Sequence, residues 1–294
     1  MSTESKPVIE NKEKYTSKID LHFFRHSIKE SDEIGANTQA IRLSSEGRKL
    51  AVEKSPKDVN LSQAIAFGSP RVRAQETAGF VMAGSSGDIT GDETLDELKA
   101  KLNENIKFGS KIGVDRRLDF NDDPKNPVGK VLYEAYARGE YTKAIIEDSD
   151  RVALETGDNT GSHYSYKAGQ MAKIVKKYLK IAPRWNQLVT DKDKKYKPVL
   201  ERYLGTHQGM CESFIAKVIE KTEGLESRSA FVSAVGSQGF DYVEGFDIDI
   251  ETKGAEEPSI KIKFTKDLAD GSVYSFERLV PLNLIEDIIN EAEQ

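Results

Sequence analysis

Lys18-Ile-Asp-Leu-His-Phe-Phe-Arg-His-Ser27 is the stretch on which the fold reading turns. Ile19, Leu21, Phe23 and Phe24 form a short apolar run rich in β-formers, which reads as a buried strand of a parallel sheet. The run stops at Arg25-His26-Ser27, and a polar loop follows as far as Ala40. In an open α/β sheet, ligands collect beyond the carboxyl ends of the strands. An Arg-His pair there sets a cation beside a titratable nucleophile. Alone, such a pair more often only satisfies backbone carbonyls, so chemistry requires partners from far along the chain.

Working outward, Leu43 to Ala51 opens a helix, with Ser44 as N-cap and Glu46 in the first turn. Ala64-Ile-Ala-Phe67 reads as a second short strand, broken by Gly68-Ser69-Pro70, and Arg71 to Ala83 as a helix. Its first turn carries Arg71 and Arg73, the wrong sign for the helix dipole and a plausible phosphate cradle. Ser85 to Asp92 reads as a loop and Glu93 to Lys101 as a helix. Lys111 to Pro127 is mixed, with Val114 to Leu118 its one compact piece. Helical spacing covers Val131 to Asp148. A glycine-bearing polar loop, Thr156 to Ser165, precedes an amphipathic helix over Tyr166 to Ile181.

Val199 to His207 repeats the opening design: strand, terminal histidine, turn at Gln208-Gly209, and a helix from Met210 to Glu220. Beyond it the pattern changes. Val243 to Ile250 and Ser259 to Thr265 alternate and read as a hairpin around Gly254 to Pro258. Ser272 to Val280 reads as a further strand, and Leu282 to Glu293 as a closing helix. The fold class expected is α/β: three α/β/α layers around a mostly parallel sheet, with a C-terminal antiparallel hairpin over 243–280. Residues 1–17 are expected to be a disordered tail, 18–294 one domain, and 85–165 a variable insertion lining the pocket.

The 294 residues are 37% hydrophobic and 31% charged, enough for a core beneath a heavily charged surface. No apolar run approaches the ~20 residues of a membrane span. Residues 1–16 lack the apolar centre of a secretory signal, and the single cysteine, Cys211, suits a reducing compartment. A cytoplasmic location and no membrane partner are the expectation. A net charge of −6 argues against general nucleic-acid binding, yet cations gathered in one pocket can still hold phosphate.

With Arg25-His26, Arg71/Arg73 and His207 at three strand ends, the sequence resembles the histidine phosphatase superfamily, also called phosphoglycerate mutase-like. Phe24-Arg25-His26 matches that family's first strand end. Leu43-Ser-Ser-Glu-Gly47 matches the opening of its first helix. Ser69-Pro-Arg-Val-Arg-Ala-Gln-Glu-Thr77 is the most specific match, and Gly205-Thr-His-Gln-Gly209 a looser one. The agreement runs over about 18–83 and 166–220. The resemblance implies that His26 is the nucleophile and becomes phosphorylated. It implies that Arg25, Arg73 and His207 neutralise the phosphoryl oxygens; Ser27, Arg71 and Gln208, close to them in the chain, are expected as further substrate contacts. Ser27 stands where the family most often has glycine, and Gln208 interrupts the usual His-Gly. That speaks against the acid-phosphatase and phytase branch, which follows this histidine with Asp.

Imidazole suits the role because a neutral nitrogen is present at pH 7 once the other nitrogen is fixed as donor. Guanidinium donors are planar and forked, as the oxygens of a transferring phosphoryl group require. The resemblance also implies a general acid, commonly a glutamate after an Arg-Leu pair. Arg117-Leu-Asp-Phe-Asn121 instead offers Asp119, with Phe120 where the glutamate is expected; Asp115, Asp122 and Glu134 stand behind it. No metal-ligand spacing is visible, and neither metal nor cofactor is expected. The function expected is phosphomonoester hydrolysis on a phosphorylated small molecule or phosphoprotein. A phosphoglycerate mutase-like transferase or a non-catalytic phospholigand-binding module are the alternatives. His22 reads as a hydrogen-bonded core histidine, His163 as a substrate contact or plain surface, Trp185 and Lys192 to Lys197 as a solvated edge, and Cys211 as a structural thiol.

Overall fold

The opening stretch forms β1 (Ser17–Arg25) at the middle of a sheet. The computed structural model describes residues 16–31, 38–104, 109–193, 195–268 and 270–294. Most of the expected tail therefore lies outside the described residues, as does part of the polar loop after His26. Thr16 and Ser17 do not belong to a tail. The Thr16 amide donates to the Thr252 carbonyl, and Ser17 is the first residue of the strand.

On one side β1 pairs in parallel with β4 (Val199–Thr206), Arg25 opposite Thr206. Beyond β4 lie β2 (Ile65–Gly68) and β3 (Ile112–Val114), also parallel. On the other side β1 pairs antiparallel with β5 (Gly245–Thr252), which continues into β6 (Ser259–Asp267) and β7 (Val273–Val280). The order is β3-β2-β4-β1-β5-β6-β7. The C-terminal hairpin is thus the antiparallel half of the central sheet.

Alternation along β1 divides the core. Ile19, Leu21 and Phe23 face the larger cluster, with Ile248 and Ile250 of β5. That cluster also holds α7 (Tyr164–Thr190), α8 (Met210–Glu223) and α10 (Leu282–Glu291). Phe24 and Tyr203 face a second cluster with α1 (Ser45–Glu53), α2 (Val72–Ala83) and α3 (Leu95–Asn103). Over β5 to β7 the second face carries charge in place of a helix layer. Lys18 bridges Asp20 and Asp249, and Lys263 also reaches Asp249. One open face is what an antiparallel sheet permits.

Several expectations shift. Val131 to Asp148 is two helices, α4 (Pro127–Ala137) and α5 (Tyr141–Glu147), separated at Gly139, whose φ of 73° ends the first. The expected loop from Thr156 begins only after α6 (Ser149–Thr156), and α9 (Leu225–Val235) follows α8 without having been anticipated. Helix α7 runs on through Pro183 to Thr190. That carries Trp185 into the core, 5% exposed, where its indole N–H donates to the Pro198 carbonyl. Trp185 is not a solvated edge.

Two glycines bring α2 onto the strand ends. A Cβ on Gly68 would collide with the backbone of Gln75, and one on Gly205 with the Ala74 carbonyl. Without side chains there, the first turn of α2 rests directly on β2 and β4. Thr77 then ties this helix to β1: its hydroxyl accepts from the Ser27 amide and donates to the Arg73 carbonyl.

Candidate active site

Because β1 and β4 are neighbours in register, His26 and His207 leave the sheet side by side. Their ring centroids are 5.2 Å apart, edge to face. Ser69 leaves β2 on the far side of β4, and its hydroxyl meets His207 Nε2 at 2.7 Å. Arg73 enters from α2, and its Nε donates to His26 Nε2 at 3.2 Å. His26 Nδ1 lies 2.7 Å from the Ser27 carbonyl, which can only accept, so the ring hydrogen sits on Nδ1 and the lone pair on Nε2. Burial first, and the Arg73 guanidinium second, push His26 down to about 3, so the ring is neutral at ordinary pH. Burial, together with His26 and the nearby cations, likewise lowers His207 well below the usual histidine range. His207 Nδ1 is buried and has no protein partner.

These groups open into a cavity of about 230 Å³ whose wall includes Arg25, His26, Lys29, Arg73, His207 and Gln208. Arg25 is braced by the Phe240 carbonyl at 2.7 Å and lies over the Tyr242 ring at 4.7 Å. The loop carrying Phe240 and Tyr242 is itself anchored on buried Glu212, which accepts from the Phe240 and Gly209 amides. Gln208 donates to the Gln238 carbonyl of that loop. Three cations, Arg25, Lys29 and Arg73, thus face one carboxylate, Asp122, within an otherwise acidic protein. A larger groove of about 550 Å³ runs past His22, Lys54, Tyr203 and Lys263 on the open face of the sheet, and none of the candidate residues lines it.

Three candidates do not line the cavity with His26. Ser27 is fully buried beneath Thr77. Arg71 is engaged elsewhere: its Nε donates to Asp119 at 2.8 Å and its guanidinium stacks on Phe120 at 4.1 Å. Asp119 is turned to Arg71, with Oδ1 3.8 Å from His207 Nε2. The start of α2 is no open cradle either, since the Val72 amide donates to the Gln39 carbonyl. Of the other carboxylates, Asp115 is bridged to Arg117, Glu134 is exposed on α4 outside the cavity, and Asp122 lines it. His22 is bonded to Asp247 at 2.7 Å and stacked on Tyr203, so it is hydrogen-bonded as expected, but it is half-buried beside the groove on the open face and not in the core. His163 precedes α7 and is bonded to Asp150, away from the cavity. Burial pushes the Cys211 thiol well up.

The opposite wall draws on the 85–165 segment expected to line the pocket, but neither its individual residues nor Tyr242 were singled out for it from the sequence. It consists of Phe120, Leu132, Tyr133, Tyr136, Tyr141 and Tyr242. Behind it lies a buried cluster in which Lys167 Nζ and the Tyr141 hydroxyl both donate to Asp122, at 2.7 and 2.6 Å. Burial lowers the Lys167 ammonium, against the opposing pull of Asp122. The sequence did hold a signal for this wall. Val131, Leu132, Tyr133, Ala135 and Tyr136 are apolar or aromatic around more of the helix than one buried stripe requires. Among the described residues no group of three or more His, Cys, Asp or Glu is placed to hold a metal, and no helix is long and apolar enough to cross a membrane.

No protein-family model matches the chain, and no curated protein matches it. Solved structures do. A mycobacterial glucosyl-3-phosphoglycerate phosphatase is 16% identical over 80% of this chain and 90% of its own, with a TM-score of 0.40. A phosphoglycerate mutase from Bacillus anthracis str. Sterne is 12% identical over 95% of this chain and 98% of its own, TM-score 0.41. A putative alpha-ribazole-5'-P phosphatase from Escherichia coli str. K-12 substr. MG1655 is 13% identical over 90% and 95%, TM-score 0.36. All three are members of the superfamily whose motifs the sequence resembles. Likeness of this size does not carry an activity from one protein to another.

Proposed function

We propose that this chain hydrolyses phosphomonoesters through a phosphohistidine on His26. The observation that carries the reading is the state of the His26 ring: Nδ1–H on the Ser27 carbonyl, and the Nε2 lone pair turned to Arg73 in a cavity of cations. On substrate entry the Arg73 donor passes from imidazole to a phosphoryl oxygen, which frees Nε2 to attack. The Nε2–P bond forms as the P–O bond breaks, and the leaving oxygen keeps the electron pair. Arg73, Arg25 and Lys29 balance the charge on the phosphoryl oxygens. If the Ser69 hydroxyl donates to His207 Nε2, the His207 hydrogen sits on Nδ1, a buried donor with no partner until an oxygen arrives. Water then breaks the N–P bond and releases orthophosphate. The neutralisation is supplied by side chains, so the reading requires no metal.

Brief incubation with a labelled phosphomonoester should leave phosphate on His26 in an acid-labile, base-stable bond, at full rate in excess chelator. His26→Ala should carry no label and lose at least ~10³ in turnover. Label on a serine, normal turnover by His26→Ala, or activity only with added divalent metal would sink this mechanism.

A further inference from the structure

The cavity has two kinds of wall, and the second bears on what leaves. An alkoxide leaving group needs a proton in the transition state, and a positioned acid is worth ~10²–10⁴ in rate. Neither carboxylate near His26 is arranged to supply one. Asp119 accepts from Arg71 and does not line the cavity. Asp122 lines it, but accepts from Lys167 on one oxygen and from Tyr141 on the other, so both act as acceptors. Where proton donors are engaged, the cavity offers aromatic surface. Tyr133 and Tyr136 project from α4 at 64% and 60% exposure, a large apolar area to leave at a mouth. Tyr136 meets Tyr141 edge to face at 6.2 Å. Phe120 stands edge-on to His207 at 4.9 Å, its ring already held by Arg71. Tyr242 lies 6.3 Å from the His26 ring. The next residue, Val243, has a φ of 62°, a conformation costly for a β-branched side chain. Strain of that kind persists where the surroundings over-determine it; here the Val243 amide donates to the Arg25 carbonyl and sets Tyr242 beside the pocket. The cavity, about 230 Å³, falls below the ~300–1,000 Å³ of drug-sized sites, which suits a phosphoryl group with one ring.

We propose that the substrate is the phosphomonoester of a phenolic hydroxyl, its ring held among Phe120, Tyr133, Tyr136, Tyr141 and Tyr242. This rests on the phosphatase reading above. The Nε2–P bond forms, the aryl P–O bond breaks, and the aryloxide departs with the electron pair, stable without a proton until solvent supplies one. Water then attacks phosphorus, the N–P bond breaks, orthophosphate leaves, and the released proton passes to solvent.

The experiment compares kcat/KM for phenyl phosphate and phosphotyrosine with that for phosphoserine and glycerol phosphate. Labelling of His26 by acetyl phosphate, which has neither a ring nor a poor leaving group, is measured in parallel. The aryl esters should exceed the alkyl esters by ~10² or more, and phenyl phosphate should have a lower KM than acetyl phosphate. Tyr133→Ala and Tyr136→Ala remove exposed side chains and should each raise the aryl KM roughly three- to tenfold, reducing the aryl-over-alkyl ratio. Aryl and alkyl esters within tenfold of each other, or variants that slow both classes equally, overturn the proposal while His26 labelling leaves the phosphatase reading standing. No label from acetyl phosphate overturns both.

Discussion

The two walls of the His26 cavity are built by different means. One comes from the ends of β1 and β4 with the first turn of α2: His26, His207 and Arg73, with Ser69 from the end of β2 bonded behind to His207. The sheet register sets His26, Ser69 and His207 side by side, and the close seat of α2 on Gly68 and Gly205 adds Arg73. The other comes from α4, α5, the segment around Phe120 and the loop before β5. No strand pairing relates those pieces; they are joined by packing and by the Lys167–Asp122–Tyr141 cluster. The strand-end wall is polar, and in the proposed reading it takes the phosphoryl group. The helical wall is largely aromatic, and in the same reading it takes what carries the phosphoryl group.

That contrast can be broken hardest at the joint of the second wall. Asp122→Ala leaves the Lys167 ammonium buried without its carboxylate, and should cost ~3–5 kcal/mol in denaturant unfolding. Replacing both partners, Asp122→Ala with Lys167→Met, should recover more than half of that loss. A double variant as unstable as the single one would show that the pair is not what joins the wall.

The first wall should break in chemistry before it breaks in stability. Arg73→Ala should lower kcat/KM by ~10²–10³, and His26, freed of that guanidinium, should titrate closer to its ordinary value by NMR. The depressed His26 also sets a pH dependence. Its folded value, about 3, lies below the unfolded 6.5, so between those values the unfolded chain takes up the proton first. The stability this ring contributes is present above about pH 6.5 and is lost as pH falls toward 3. At pH 4.5 wild type should have lost ~2–3 kcal/mol relative to His26→Asn, as read from unfolding of the two proteins at pH 7.5 and 4.5. Parallel stability curves would mean that His26 is not held neutral. The smallest effect is expected at Asp119. Asp119→Asn should change kcat/KM by less than about threefold for aryl and alkyl esters alike, since a positioned acid would cost ~10² or more on the alkyl ester alone.

The sequence by itself marked the strand-end wall, through its strand ends and the motifs that carry the resemblance, though three further candidates it offered, Ser27, Arg71 and Asp119, do not line the cavity. A short apolar run rich in β-formers marks β1, and the turn chemistry after it marks where the strand must stop. The spacing from Ser69 to Thr77 encodes contacts that are local once α2 lies on β2: Ser69 to His207, Arg73 to His26, a small Ala74 against Gly205, and Thr77 to the end of β1. The sequence also marked the hairpin strands, but not that β5 would extend the central sheet, because pairing partners lie far apart in the chain. Which carboxylate faces the cavity was likewise decided only by tertiary structure. Asp119 and Asp122 are three residues apart and chemically alike, and only the placement of Arg71 and of Lys167 separates them. The aromatic wall depends on where α4 and α5 settle and on the strained turn at Val243. An exposed tyrosine on a helix has no periodicity that tells a ligand face from a solvent face until the opposite wall is in place.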